Sequence, residues 1–183
     1  SIALGMFSDV VSSLQSGDKT NLETITNRDA EINRQYFLLV RLIRSTIMDP
    51  RLAGIFNLEN IDILDYRIAA NTLEIAGDTV VELSESLIKS NLSKVELKKL
   101  HDFAKDMEEI QIKSIDSFIS NNRTLAINAI TLQRNNFEKI SKIRSSLESK
   151  KQISLSFFDL IYMFEKILQS WSDITDLVKP SYK

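Results

Sequence analysis

The chain has 183 residues, 43% hydrophobic and 26% charged, with a formal net charge of -2. That is apolar material for one domain, or for two small sub-bundles sharing a core, and it excludes a global positive field that would draw the chain to nucleic acid or anionic lipid. Four Gly, two Pro and no Cys argue against a loop-rich or all-β fold and remove disulfides, thiolate metal sites and a cysteine nucleophile. No apolar run reaches the length of a membrane span. The start SIALGMFSDVV has neither a basic leader nor an initiator Met, so a cytoplasmic location and a segment of a longer chain are expected.

The elements emerge from 3.6-residue periodicity and from stop signals. A first helix is expected over residues 2–15, with Met6, Val10 and Leu14 on one face. Ser16-Gly17-Asp18 ends it, because Gly17 suits a left-handed C′ position and Asp18 can cap the second helix. That second helix, 19–48, stops at Asp49-Pro50. A connector, RLAGIFNLEN, holds a helical turn, and the third helix covers 61–90. Ser93 and Glu96 form a capping box that starts a fourth, running to about 119. SNNR turns the chain into a fifth helix, 124–148. SKKQIS, with its basic pair Lys150-Lys151, breaks it, and a sixth over 155–178 is closed by Pro180. No segment alternates with period two, so the expected fold is all-α. The order of a shorter helix and two long ones, then the same again, reads as a degenerate repeat of three-helix bundles over 1–91 and 92–183.

Polar residues in apolar seams are the informative ones. The second helix has a 3–4 spacing of Leu22, Ile25, Asp29, Ile32, Tyr36, Leu39, Ile43 and Ile47. Asp29 is its one carboxylate, and Asn33 borders the same face. An unpaired charge there would be costly, which leaves two readings. Asp29 lies at a wet bundle end paired with an arginine, or Asp29 and Asn33 face Glu74 and Asp78 of the third helix in an oxygen-rich cation site. The third helix places Ile68, Ala69, Leu73, Ala76, Val80, Leu83 and Leu87 on one face, and Glu74, Asp78, Glu82 and Glu85 on the other. Gly77, costly inside a helix, suggests close approach of another backbone. In the second half, aligning Ile25 with Ile130 and Ile32 with Phe137 puts Arg134 where Asp29 stands. Glu165 and Gln169 then take the places of Glu74 and Asp78. An Arg134–Glu165 salt bridge is expected there instead of a metal.

Catalytic signatures are scarce. The one histidine, His101, lies three residues after Lys98, so the Glu-x-x-His pair of di-iron bundles does not occur. Phosphate-loop, dinucleotide and nucleophile-elbow patterns are missing too. Trp171 and Tyr162 fit core or rim packing. A carboxylate-metal enzyme built around Asp29 and Glu74 is disfavoured by the lack of histidines, and no enzyme is expected.

RDAEINRQYFLLVRLI (28–43), DPRLAG (49–54) and DYRIAANTLEIAGDTVVELSESLI (65–88) resemble the phosphate-uptake regulator family, PhoU, especially its archaeal members. The family's Asn, Leu-Glu-x-x-Gly-Asp pattern matches Asn71, Leu73, Glu74, Gly77 and Asp78. Its acid-x-x-x-Asp pattern matches Asp29 and departs at Asn33. The resemblance is strong in the first half and weak in the second. It implies two three-helix bundles side by side, with acidic motifs for iron, zinc or magnesium. Carried over, the metal residues are Asp29, Asn33, Glu74 and Asp78, while Arg134 and Gln169 depart in the second half. The resemblance also implies a non-enzymatic role, signalling phosphate sufficiency to a phosphate ABC transporter and, in bacteria, to a sensor histidine kinase. A homo-oligomer is in keeping with it. No direct nucleic-acid contact by this region is expected. The rival reading is an effector or oligomerisation module of a transcription regulator with an AbrB-like DNA-binding domain upstream.

Overall fold

The computed structural model describes residues 2–148 and 155–178. The expected break at 149–154, with Lys150-Lys151, and the stop at Pro180 lie outside the described residues. Seven helices occur among the described residues, in the order α1 (Ile2–Ser16), α2 (Thr20–Met48), α3 (Pro50–Ile55), α4 (Asn60–Lys89), α5 (Lys94–Ile119), α6 (Arg123–Glu148) and α7 (Leu155–Asp176). The all-α reading holds, and α3 is the expected helical turn in the connector.

Local chemistry sets the helix ends. Gly17 has φ +75°, the left-handed conformation that ends α1, and its N–H donates to the Ser13 carbonyl at 2.8 Å. The Asp18 carboxylate accepts from the Thr20 N–H and hydroxyl at 2.9 and 2.7 Å. Those two bonds hold the acid below its ordinary range. Asp49 ends α2 and caps α3, whose first residue is Pro50. Arg51 grips the same carboxylate through Nε and Nη2 at 2.9 and 2.7 Å. The Ser93–Glu96 box closes reciprocally, with the Ser93 N–H donating to Glu96 Oε2 at 2.8 Å and the Glu96 N–H donating to Ser93 Oγ at 3.3 Å.

Helix α1 packs on α2, α4 and α5, whereas α7 packs on α4, α5 and α6. The two halves therefore share one continuous core. Phe164 of α7 sits at its centre, edge-on to Phe7 of α1 at 6.2 Å and to Phe103 of α5 at 5.5 Å. Trp171, two turns further along α7, is fully buried, while Tyr162 points out, 53% exposed. Helices α2 and α4 run antiparallel. Lys19 at the start of α2 donates to the carbonyls of Ile88 and Ser90, both at 2.9 Å, and so caps the end of α4. Ile32 packs on Gly77 so closely that a Cβ there would lie 2.8 Å from its Cδ1. The small residue thus admits a side chain, where the sequence suggests a backbone.

Two seam expectations change at the far end of this pair. The helical periodicity puts Ile47 and Ile68 in the core, yet they are 62% and 40% exposed. Helix α1 is half the length of α2 and α4 and contributes its core residues only from Ala3 onward. The outer turns of α2 and α4 therefore keep apolar positions that α1 does not cover, and the short α3 packs on α2 there.

Candidate functional site

Among the described residues, the acidic seam between α2 and α4 is where the predicted site residues meet. Tyr36 Oη lies 3.4 Å from Asn71 Oδ1, and Arg67 stacks on the Tyr36 ring at 5.4 Å. These contacts fix the register in which Asp29 faces Asp78. Asn33 donates through Nδ2 to Asp29 Oδ2 at 3.0 Å, one helical turn along the same face. Asp78 faces Asp29, with which it can share a hydrogen bond in its protonated form, and its carboxyl is raised above the ordinary value of 3.8. Partial burial of that carboxyl is the largest cause, followed by the charges of Glu74, Asp29 and Glu82. The residue as a whole remains exposed, so the seam is open to water.

The arginine beside Asp29 in sequence, Arg28, does not pair with it but turns to Asp9 on α1 at 2.6 Å. Glu74 stands near enough to act on Asp78 through its charge. Among the described residues, however, no group of three or more Asp, Glu, His or Cys side chains is placed to hold a metal ion. The donor set is an acid pair with an amide whose N–H faces one carboxylate. Clustered iron or zinc needs more converging ligands than this. A hydrated hard cation, keeping most of its waters, is the metal such oxygens suit.

The rest of the acidic stripe lies outside this seam. Glu82 approaches Lys166 of α7 at 3.9 Å, and Glu85 approaches Lys89 at 3.7 Å. Both contacts are long and solvent-exposed.

The second half corrects its expectation. Glu165 pairs with Arg144 Nη2 at 2.6 Å, not with Arg134, which is exposed. The buried face of α6 runs through Ala126, Ala129, Gln133, Asn136 and Ile140. Arg134 is one residue from Gln133, and one residue turns a helical side chain by about 100°. Beside Arg134, the polar group that faces the core is therefore Gln133. Its Nε2 donates to Thr175 Oγ1 at 2.9 Å and to Ser114 Oγ at 3.2 Å, and Thr175 donates to Ser114 at 2.9 Å. Sequence reasoning misses this network because serine, threonine and glutamine carry no signal separating them from surface polar residues. The small alanines at 126 and 129 are the available clue to the true face. Gln169, placed by the repeat alignment opposite Asp78, donates to Asp173 on its own helix at 2.8 Å.

The class is thus an all-helical protein whose polar groups meet along helix seams, an acidic one in the first half and a neutral one in the second. The sequence of residues 1–87 matches the family model of the PhoU domain, in agreement with the resemblance read from the motifs there. The fold is also similar to the crystal structure of PhoU from Pseudomonas aeruginosa. That match has a TM-score of 0.78 and 16% sequence identity, over 97% of this chain and 88% of that one. Comparison with curated proteins gives no sequence match.

Proposed function

We propose that this chain is a non-enzymatic regulator of phosphate uptake, acting on phosphate ABC transporter components or on a signalling protein. The match to the PhoU domain model over residues 1–87 carries the reading. The fold likeness over nearly the whole chain supports it, as does the lack of a helix long and apolar enough to cross a membrane among the described residues. Residues 1–91 and 92–183 are taken as two repeats that have diverged at their polar seams. The archaeal-type reading rests on the likeness of segments 28–43, 49–54 and 65–88. Asp29 and Asp78, with the Asn33 amide beside them, form the position for a hydrated divalent cation such as magnesium, and Glu74 adds negative charge nearby.

Deleting the gene in its own host and measuring labelled-phosphate uptake in phosphate-replete medium tests the role. The expected result is uptake that no longer shuts down. Unchanged uptake would overturn the reading, and a changed set of transcripts alone would favour the transcription-effector module. For the cation, titrating magnesium into wild type and an Asp29→Ala/Asp78→Ala variant should show weak binding only in the former.

A further inference from the structure

We propose that the cleft between the outer turns of α2 and α4, beside α3, binds a free single-chain anion: a carboxylate or phosphate ester carried on an aliphatic chain.

The cleft has a volume of about 560 Å³, within the range of small-molecule sites. Arg44 of α2 and Arg67 of α4 both line it, and Asn60 adds an amide. No acid and no aromatic ring is among its lining residues, and most of the wall is aliphatic, with Ile47, Ile63 and Leu64. The acids nearest in sequence are engaged elsewhere. Asp49 is held by Arg51 at 2.7 Å. Asp62 accepts from the Glu59 N–H at 2.7 Å in the cap of α4, and Asp62 and Asp65 line a different cleft, beside Phe118.

Arg67 carries the argument. Three arginines are half-buried among the described residues: Arg28, Arg67 and Arg144. Arg28 is paired with Asp9 and Arg144 with Glu165, both at 2.6 Å. Among the described residues Arg67 has no carboxylate partner, and its guanidinium lies over the Tyr36 ring at 5.4 Å. Drawing a guanidinium partly out of water without a counter-charge is costly, and a second one lining the same cleft adds repulsion. An oxyanion between Arg44 and Arg67 relieves both. The planar guanidinium fork matches carboxylate and phosphate oxygens at two points, and the stacking on Tyr36 holds that fork in place before a ligand arrives.

The walls select the rest of the ligand. With no aromatic face in the lining, a nucleotide base has nothing to stack on. An alkyl chain instead covers Ile47 and Leu64, which are 62% and 53% exposed, and gains from removing apolar surface from water.

The test is isothermal titration calorimetry on the 183-residue chain with decyl phosphate and decanoate, kept below micelle-forming concentrations. Both should bind. Decyltrimethylammonium, the same chain with opposite charge, should not, and inorganic phosphate should bind at least about tenfold more weakly than decyl phosphate. Arg44→Gln/Arg67→Gln should weaken decyl phosphate by roughly tenfold or more. Arg34→Gln/Arg41→Gln removes the same charge from exposed α2 positions outside the cleft and should leave binding unchanged. Leu64→Glu, which puts a carboxylate beside the two arginines, should block it, with unchanged circular dichroism because the position is exposed. Phosphatidylglycerol vesicles should not sediment the chain. Failure of both anions to bind, equal binding of the decyl cation, inorganic phosphate as tight as decyl phosphate, or equal losses in the two double-arginine variants would each overturn the proposal. Vesicle sedimentation that is lost in Arg44→Gln/Arg67→Gln would overturn the free ligand in favour of a bilayer.

Discussion

The two halves each place polar groups at a helix seam and satisfy them by different chemistry. In the first, Asp29 and Asp78 face each other at a water-facing edge, with the Asn33 amide donating to Asp29. In the second, Gln133, Ser114 and Thr175 bond to one another in the dry interior, and about three turns away along α6 and α7 Arg144 pairs with Glu165. The difference is one of solvent. A carboxylate pair is tolerable where water screens it, whereas a buried seam needs neutral donors and acceptors that bond each other. Of the two seams, the first keeps charge that a cation or a partner could use.

Breaking the shared core should have the largest effect. Phe164→Ala removes a ring wedged between Phe7 and Phe103 and should cost about 3–5 kcal/mol. Calorimetry should show both halves melting in one transition, because the core is continuous. Two separated transitions would show that the halves are independently stable.

The next effect is in the neutral seam. Gln133→Ala leaves the hydroxyls of Ser114 and Thr175 with fewer partners in a buried place and should cost about 1–3 kcal/mol in urea unfolding. Asp29→Asn, at the wet seam, should change stability by well under that amount. Equal losses at the two positions would erase the distinction drawn between the seams.

A smaller effect separates the two arginines of α6. Arg144→Ala removes the partner of Glu165 and the cation stacked 5.6 Å from the Phe158 ring. It should cost about 1 kcal/mol, and Arg134→Ala should stay within about 0.5 kcal/mol of wild type. The reverse order would restore the Arg134–Glu165 pairing that the helix alignment suggests.

The smallest effect concerns Asp78. Its folded pKa is raised above the unfolded value. Its neutral form therefore favours the folded state, and that favour is complete below the unfolded pKa and lost as pH rises through the folded one. Asp78→Asn keeps a neutral group at every pH. The variant should be a few tenths of a kcal/mol more stable at neutral pH, a small gain because solvent screens this open seam. The gain should vanish below the ordinary aspartate value of 3.8. Thermal melts at the two pH values measure it.

Much of the fold is legible along the chain. The two long helices of the first half, the connector turn and the capping box all lie where spacing and caps place them. The resemblance to PhoU rests on segments 28–43, 49–54 and 65–88, runs of neighbouring residues that need no partner to be read. The candidate site is legible in part. Asp29, Asn33 and Asp78 do come together, and Asp29 stands out because it interrupts an otherwise apolar seam. The second half misleads because its seam residue is a neutral glutamine, and the charged Arg134 beside it draws the alignment one residue off.

Local energies account for what can be read without a structure. The positive φ of Gly17, the carboxylate caps at Asp18 and Asp49 and the Ser93–Glu96 exchange each involve residues within a few positions of one another, so sequence alone specifies them. Which side chains meet across helices is a different matter. A shift of one residue turns a helical side chain by about 100°, and the depth of a seam depends on whether a third helix covers it. Helix α1 stops short of the outer turns of α2 and α4, leaving Ile47 and Ile68 in water. The packing of α5 and α7 against α6 buries Gln133 and leaves Arg134 outside. Those outcomes belong to the tertiary structure, because they are set by distances between segments that the chain separates by tens of residues.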